Sequence, residues 1–227
     1  MLLVTAEEPF RLDAVWELVE GMERYGLAGF SWGAAWVTSA GRLDAHRSVC
    51  PFRDDPIRGS IGARESTALL VHLRRPSKLS TIGPADTQPF VDPRGRFAFG
   101  HNGDFERYAP LRRELLERGR IHGRADSEVG QRVLEDVWEV TGPAGALEGL
   151  HEALGGRANL MTLDPSGRGT AYAGNVENPL FRFRLGDRRV VSTALYSIDR
   201  SLFRLVARGA RERDVVRVGT TVTLGGA

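Results

Sequence analysis

The sequence predicts an α+β fold built in layers. Strand-length apolar stretches fill the N-terminal part, helical periodicity takes over across residues 108–154, and strand signals return from residue 159 onward. A strict strand–helix alternation is missing, which argues against a parallel doubly wound sheet. No internal repeat, low-complexity tract or linker interrupts the 227 residues, so one domain spanning residues 1–227 is expected.

In chain order, residues 2–5 read as a short apolar strand. Leu12, Val15, Trp16, Val19 and Met22 recur at helical spacing, with Gly26 as a stop signal. Residues 30–38 and 42–49 read as two strands about a Ser39-Ala40-Gly41 turn. The glycine-rich residues 27–33 fit either a mobile loop or a closely packed strand. Residues 66–73 are almost continuously apolar, which predicts burial on both faces. A further strand over 96–100 leads to Asn102-Gly103. Helices are predicted over 108–118, closed by Gly119, over 127–140 and over 144–154, with Asp126 and Ser127 as plausible N-caps. Strands follow over 159–163, 169–173, 180–185, 189–193, 215–218 and 221–224, with turns at Asp164-Pro165-Ser166-Gly167 and Gly186-Asp187.

Composition narrows the function classes. Hydrophobic residues make up 41%, enough for a substantial core, and the formal net charge is only +2. Acidic and basic residues interleave, as in Leu111-Arg112-Arg113-Glu114-Leu115-Leu116-Glu117-Arg118, which reads as a solvated helix face and argues against nucleic-acid binding. Lys78 is the only lysine, a bias that codon composition produces without functional cause. The single cysteine, Cys50, has no internal disulfide partner and is expected as a small buried or half-buried thiol in a reducing compartment. Neither a signal peptide nor a membrane-length apolar run is evident, so a cytoplasmic protein that binds no membrane is expected. His46, His72, His122 and His151 lack ligand spacing, and no metal site is expected.

The most informative stretch is Phe99-Gly100-His101-Asn102-Gly103-Asp104. An Asn-Gly step presents a side-chain amide and an unobstructed backbone N–H to one point, the donor pair that a developing oxyanion requires. The same dipeptide is also an ordinary hairpin turn. Four segments, taken in order, resemble the class II glutamine amidotransferase domain of the N-terminal-nucleophile hydrolases. They are Gly29-Phe30-Ser31-Trp32-Gly33-Ala34-Ala35-Trp36, His72-Leu73-Arg74-Arg75-Pro76-Ser77, Thr87-Gln88-Pro89-Phe90 with His101-Asn102-Gly103, and Asp126-Ser127-Glu128. Residues 174–180 and 191–194 resemble strands of the second sheet and are expected to be structural.

The resemblance implies a four-layer αββα sandwich and release of ammonia from the glutamine side chain. It implies Arg74 for the substrate α-carboxylate, where a guanidinium fork binds bidentately. It implies Asp126 for the α-ammonium group, Asn102 and Gly103 for the oxyanion, and a positioning role for Ser77. A surface arginine and a helix cap remain the ordinary readings of Arg74 and Asp126. His101 is expected behind the site, because adjacent strand residues point to opposite faces. The implied ligand is glutamine or a related small amide, with a separate ammonia-accepting synthetase as partner and no cofactor.

The family uses an N-terminal cysteine whose own α-amine serves as base, an amine with a pKa near about 8. Here the chain reads Met1-Leu2-Leu3. Two explanations stand: Met1 is internal to a longer protein with the cysteine just upstream, or the chain is an inactive glutamine-binding module. A different amide substrate is a third possibility.

Overall fold

The computed structural model describes residues 1–26, 28–76, 79–193 and 200–225. β1 (Leu2–Arg11) leads through a 3-10 turn into α1 (Trp16–Gly26), then β2 (Ser31–Val37), β3 (Leu43–Ser48), α2 (Arg58–Gly62) and β4 (Glu65–Arg74). β5 (Phe90–Val91), β6 (Ala98–Asp104), α3 (Ala109–Glu117) and α4 (Asp126–Leu154) form the middle of the chain. β7 (Arg157–Leu163), β8 (Gly169–Ala173), β9 (Leu180–Leu185), β10 (Arg188–Thr193), α5 (Arg200–Val206), β11 (Ala210–Val215) and β12 (Thr220–Leu224) complete it.

The strands make two antiparallel sheets, ordered β11-β9-β10-β1-β4-β2-β3 and β12-β8-β7-β6-β5. Strand alternation then builds three apolar layers. Leu2 and Val4 of β1, Trp32 and Trp36 of β2, and Leu69 and Val71 of β4 face α1 and α5. Leu3, Ala35, Ala68 and Leu70, from the opposite faces of those strands, meet Ala98, Met161 and Ala171 between the sheets. Phe99 and Leu160 pack outward under Leu134, Leu147 and Leu150 of α4. This is the expected αββα order.

Several elements depart from the sequence reading. β1 is longer than predicted because pairing with β4 breaks register after Thr5 and resumes at Phe10↔Ser66 and Arg11↔Glu65. β6 does not stop before Asn102: His101, Asn102 and Gly103 remain paired with Leu160, Asn159 and Ala158, so the Asn-Gly step lies inside a strand and is not a turn. The two predicted helices over 127–140 and 144–154 are halves of α4, which breaks at Gly142 (φ 67°) ahead of Pro143. The last edge strand is β11, residues 210–215, not 215–218; its charged sequence hid it. Neither Asp126 nor Ser127 caps α4: the N-cap is Ala125, with no side-chain cap bond. Cys50 is exposed, contrary to expectation. Leu27, Ser77 and Ala194 lie outside the described residues. No helix among the described residues is long and apolar enough to cross a membrane.

Candidate active site

A cavity of about 540 Å³ opens where the head of β1, the ends of β4 and β6, and the start of α4 meet. Met1, Arg74, Asn102, Gly103 and Asp126 all line it. Three sequence-predicted segments therefore converge, and each is held by a separate device.

Arg74 ends β4 opposite Ser31 of β2. Its buried guanidinium donates through Nη2 to Thr81 Oγ1 at 2.8 Å and through Nη1 to the Asp86 carbonyl. Nε is buried and donates to no described residue. Burial pulls the Arg74 pKa down while Asp86 and Asp126 push it up; arginine stays a cation throughout. Arg74 is thus not a surface arginine.

On β6, Asp92 N–H bonds the Phe97 carbonyl at 2.9 Å, and His101 N–H donates to Gln88 Oε1 at 2.6 Å. Both groups face the β5 edge, and strand alternation carries the Gly103 N–H to that same edge. β5 pairs only at Phe90↔Phe99 and Val91↔Ala98, so beyond Gln88 the edge opens onto the cavity. Gly103 has φ 128°, and a Cβ there would lie 1.7 Å from the Arg157 carbonyl oxygen. Only glycine fits. The Asn102 amide is oriented by Asn178, whose Nδ2 donates to Asn102 Oδ1 at 2.7 Å. Asn102 Nδ2 donates to no described residue, and the loop at Asn178 is held in turn by Asn175 Oδ1 and by Asn159.

Asp126 accepts the Phe105 N–H at 2.8 Å through Oδ2. The preceding turn is fixed by Asp86, whose Oδ1 accepts the Arg124 and Ala125 N–H groups at 2.7 Å each. Glu128 accepts the His122 and Gly123 N–H groups. Those two carboxylates fix the loop that leads into α4, and Asp126 Oδ1 is left facing Ser127 at 3.4 Å and the cavity.

His101 is buried yet belongs to the cavity lining, where it was expected behind the site; it stacks on Phe105 at 4.1 Å with Nδ1 2.9 Å from Ser127 Oγ. Burial lowers its pKa against the opposing pull of Asp126 and Asp104. His72 donates Nε2–H to the His101 carbonyl at 3.0 Å. Burial, reinforced by the nearby α-amine of Met1, holds His72 well below the ordinary histidine range, so both rings are neutral near pH 7. The Met1 amine is itself buried, donates to Thr193 Oγ1 at 3.0 Å, and is lowered by burial to about 5.

Sequence reasoning missed Gln88, Asp86, Asn175 and Asn178. Asn175 and Asn178 fall in the segment expected to be only structural, yet they set the Asn102 amide. The only available signal was the density of Asn in Asn175-Val176-Glu177-Asn178 after a strand.

A four-layer αββα sandwich with a polar cavity at the head of its first central strand defines the N-terminal-nucleophile hydrolase fold. Comparisons place the chain more narrowly within it. Glutamine phosphoribosylpyrophosphate amidotransferase from B. subtilis superposes with a TM-score of 0.74 at 18% identity, covering 98% of this chain and 46% of that one. A glutamine aminotransferase class-II domain protein from Silicibacter pomeroyi superposes with a TM-score of 0.65 at 20% identity, covering 99% of this chain and 94% of that one. By sequence, the chain is 31% identical over 124 residues to the isomerizing glutamine–fructose-6-phosphate aminotransferase of Aeropyrum pernix, which covers 52% of this chain. The match spans 19% of that relative's length. No protein-family model matches. The chain has the fold of the class II glutamine amidotransferase domain.

Proposed function

We propose that this chain is a glutamine-binding amidotransferase-type domain that hydrolyses the glutamine side-chain amide when a cysteine stands ahead of β1. The observation that carries this reading is convergence. A buried guanidinium whose Nε has no partner among the described residues, a carboxylate and the Asn102–Gly103 donors line one cavity. Those are the three kinds of group that an α-carboxylate, an α-ammonium and a tetrahedral oxyanion require. Arg74 binds the carboxylate, Asp126 the ammonium, and Asn102 Nδ2 with the Gly103 N–H the oxyanion. Ser77 is assigned to positioning by resemblance alone.

In this mechanism the cysteine Sγ attacks the amide carbon and its proton passes to the α-amine. The C–N bond breaks as that proton is delivered to the leaving nitrogen, releasing ammonia and a thioester. Water then splits the thioester to glutamate and restores the thiol. A separate synthetase is the proposed ammonia acceptor. The alternative is a non-catalytic glutamine-binding module of the same fold.

The test has two arms. Calorimetry on the chain as given should show glutamine binding that Arg74→Ala weakens. A chain extended so that cysteine precedes Met1 should form glutamate from glutamine. Binding without turnover in the extended chain establishes the non-catalytic reading. Turnover of another amide, undiminished by Arg74→Ala, overturns glutamine as substrate.

A further inference from the structure

We propose that Gln88 is the positioning residue that holds the Asn102–Gly103 donors in register, by closing the open edge of β6 and tying it to the head of α4. The inference rests on the glutamine reading above for its catalytic consequence, and on geometry alone for the rest.

Gln88 is 2% exposed and lies just before β5. Its backbone is seated on β2, where a Cβ on Gly33 would come within 2.3 Å of the Gln88 carbonyl oxygen. The preceding residue is tied down as well, since Arg47 donates to the Thr87 carbonyl and Thr87 Oγ1 to the Gly83 carbonyl. From this fixed base the carboxamide reaches the edge that β5 abandons after Phe90↔Phe99. The next N–H on that edge belongs to His101 and would be orphaned, and Gln88 Oε1 accepts it. The group after that on the same edge is the Gly103 N–H.

A backbone N–H only donates, so the Gln88 oxygen faces His101 and Nε2 donates to Ser127 Oγ at 3.1 Å. Ser127 in turn donates to Asp126 Oδ1 at 3.4 Å and lies 2.9 Å from His101 Nδ1. A proton on the buried His101 Nε2 would find no partner among the described residues, so His101 carries its proton on Nδ1 and donates it to Ser127 Oγ. Gln88 thus sets the edge of β6 and the orientation of Ser127, the partner of His101, immediately beside Asn102.

Three measurements test this. In the native chain, imidazole 15N shifts should show His101 protonated at Nδ1. Gln88→Glu keeps the acceptor for His101 N–H but turns the Ser127 proton from Asp126 to the new carboxylate, so the His101 Nδ1–H signal should shift. Gln88→Leu should speed exchange of the His101 amide by about tenfold or more while Leu160 stays protected. In the cysteine-extended chain, Gln88→Leu should lower kcat about 10–100-fold with KM changed less than about threefold, the mark of displaced oxyanion donors. Gln88→Glu should recover most of that loss. Unchanged 15N shifts and amide exchange overturn the proposal whether or not the parent turns over glutamine. An extended parent that neither binds nor hydrolyses glutamine, with these signatures intact, overturns only the functional reading. Should Gln88→Leu fail to fold, Gln88→Glu and Ser127→Ala read the same tautomer.

Discussion

Replacing Gly103 by alanine should be among the most damaging single-methyl additions in this protein. The new Cβ would sit 1.7 Å from the Arg157 carbonyl oxygen, 2.9 Å from its carbon and 3.2 Å from Ala158 Cα. All three are backbone atoms of β7, so no side chain can rotate away. Restoring a contact of 3.0 Å demands that β6 and β7 part locally by about 1.3 Å. A ladder bond of about 2.9 Å then stretches beyond 4 Å and is lost. Two such bonds, at about 1–2 kcal/mol each when their groups stay buried, add to about 1–2 kcal/mol of strain at φ 128°. The expected loss is about 3–6 kcal/mol, a large share of a typical domain's stability. Urea denaturation measures it, with Gly95→Ala as control, since Gly95 has φ 70° and open space around it. The control should lose about 1–2 kcal/mol. A Gly103→Ala protein no less stable than the control would refute the close approach of β7 and the reason given for glycine here.

Arg74→Ala should weaken glutamine binding about 10–100-fold by calorimetry, and Arg74→Lys should recover little because the fork is lost. Asn178→Ala frees the Asn102 amide; turnover in a cysteine-extended chain should fall about 10–100-fold while stability drops only about 1 kcal/mol. Asp86→Ala orphans the Arg124 and Ala125 N–H groups and should cost about 2–4 kcal/mol in denaturant titrations. For pH, the Met1 amine is a cation whose folded pKa is depressed from 8.0 to about 5. Only the unfolded chain takes up that proton between pH 8 and 5, so stability is full above pH 8 and falls with acid across that window. The loss is at most about 4 kcal/mol. His72 and His101, also depressed, add to it below about pH 6.5. Residues placed ahead of Met1 should abolish the upper part of the profile, read as the urea midpoint against pH.

Elements whose apolar residues keep a regular period were legible in the sequence. β2, β4, β7 and β8 appear within a residue or two of expectation because their alternation or continuous apolarity records burial directly. β11 was misplaced because Arg211, Glu212, Arg213 and Asp214 carry no burial signal; that strand is an edge, and β9 pairing alone orders it. The site divides the same way. Arg74, Asn102, Gly103 and Asp126 stood out in the sequence as candidates, and all four line the cavity. The residues that aim them did not stand out, because Gln88, Asp86 and Asn178 act from loops across long sequence separations. A buried carboxamide bridging a strand edge to a helix head leaves no periodic trace. The cap assignment at Asp126 failed because the helix already starts at Asp126, which leaves Ala125, with no side-chain acceptor, as its N-cap.

The break at Gly142 divides the labour of α4. Its first half delivers Asp126 and Ser127 to the cavity, while its second half buries Ala146, Leu147 and Leu150 over β8 and β12. Val140, beside the joint, is 86% exposed, and Pro143 has no N–H to carry the helical ladder across it. Foreign peptide or a fluorescent label spliced in beside Val140 would meet solvent, leaving the cavity at one end of the helix and the packing at the other undisturbed.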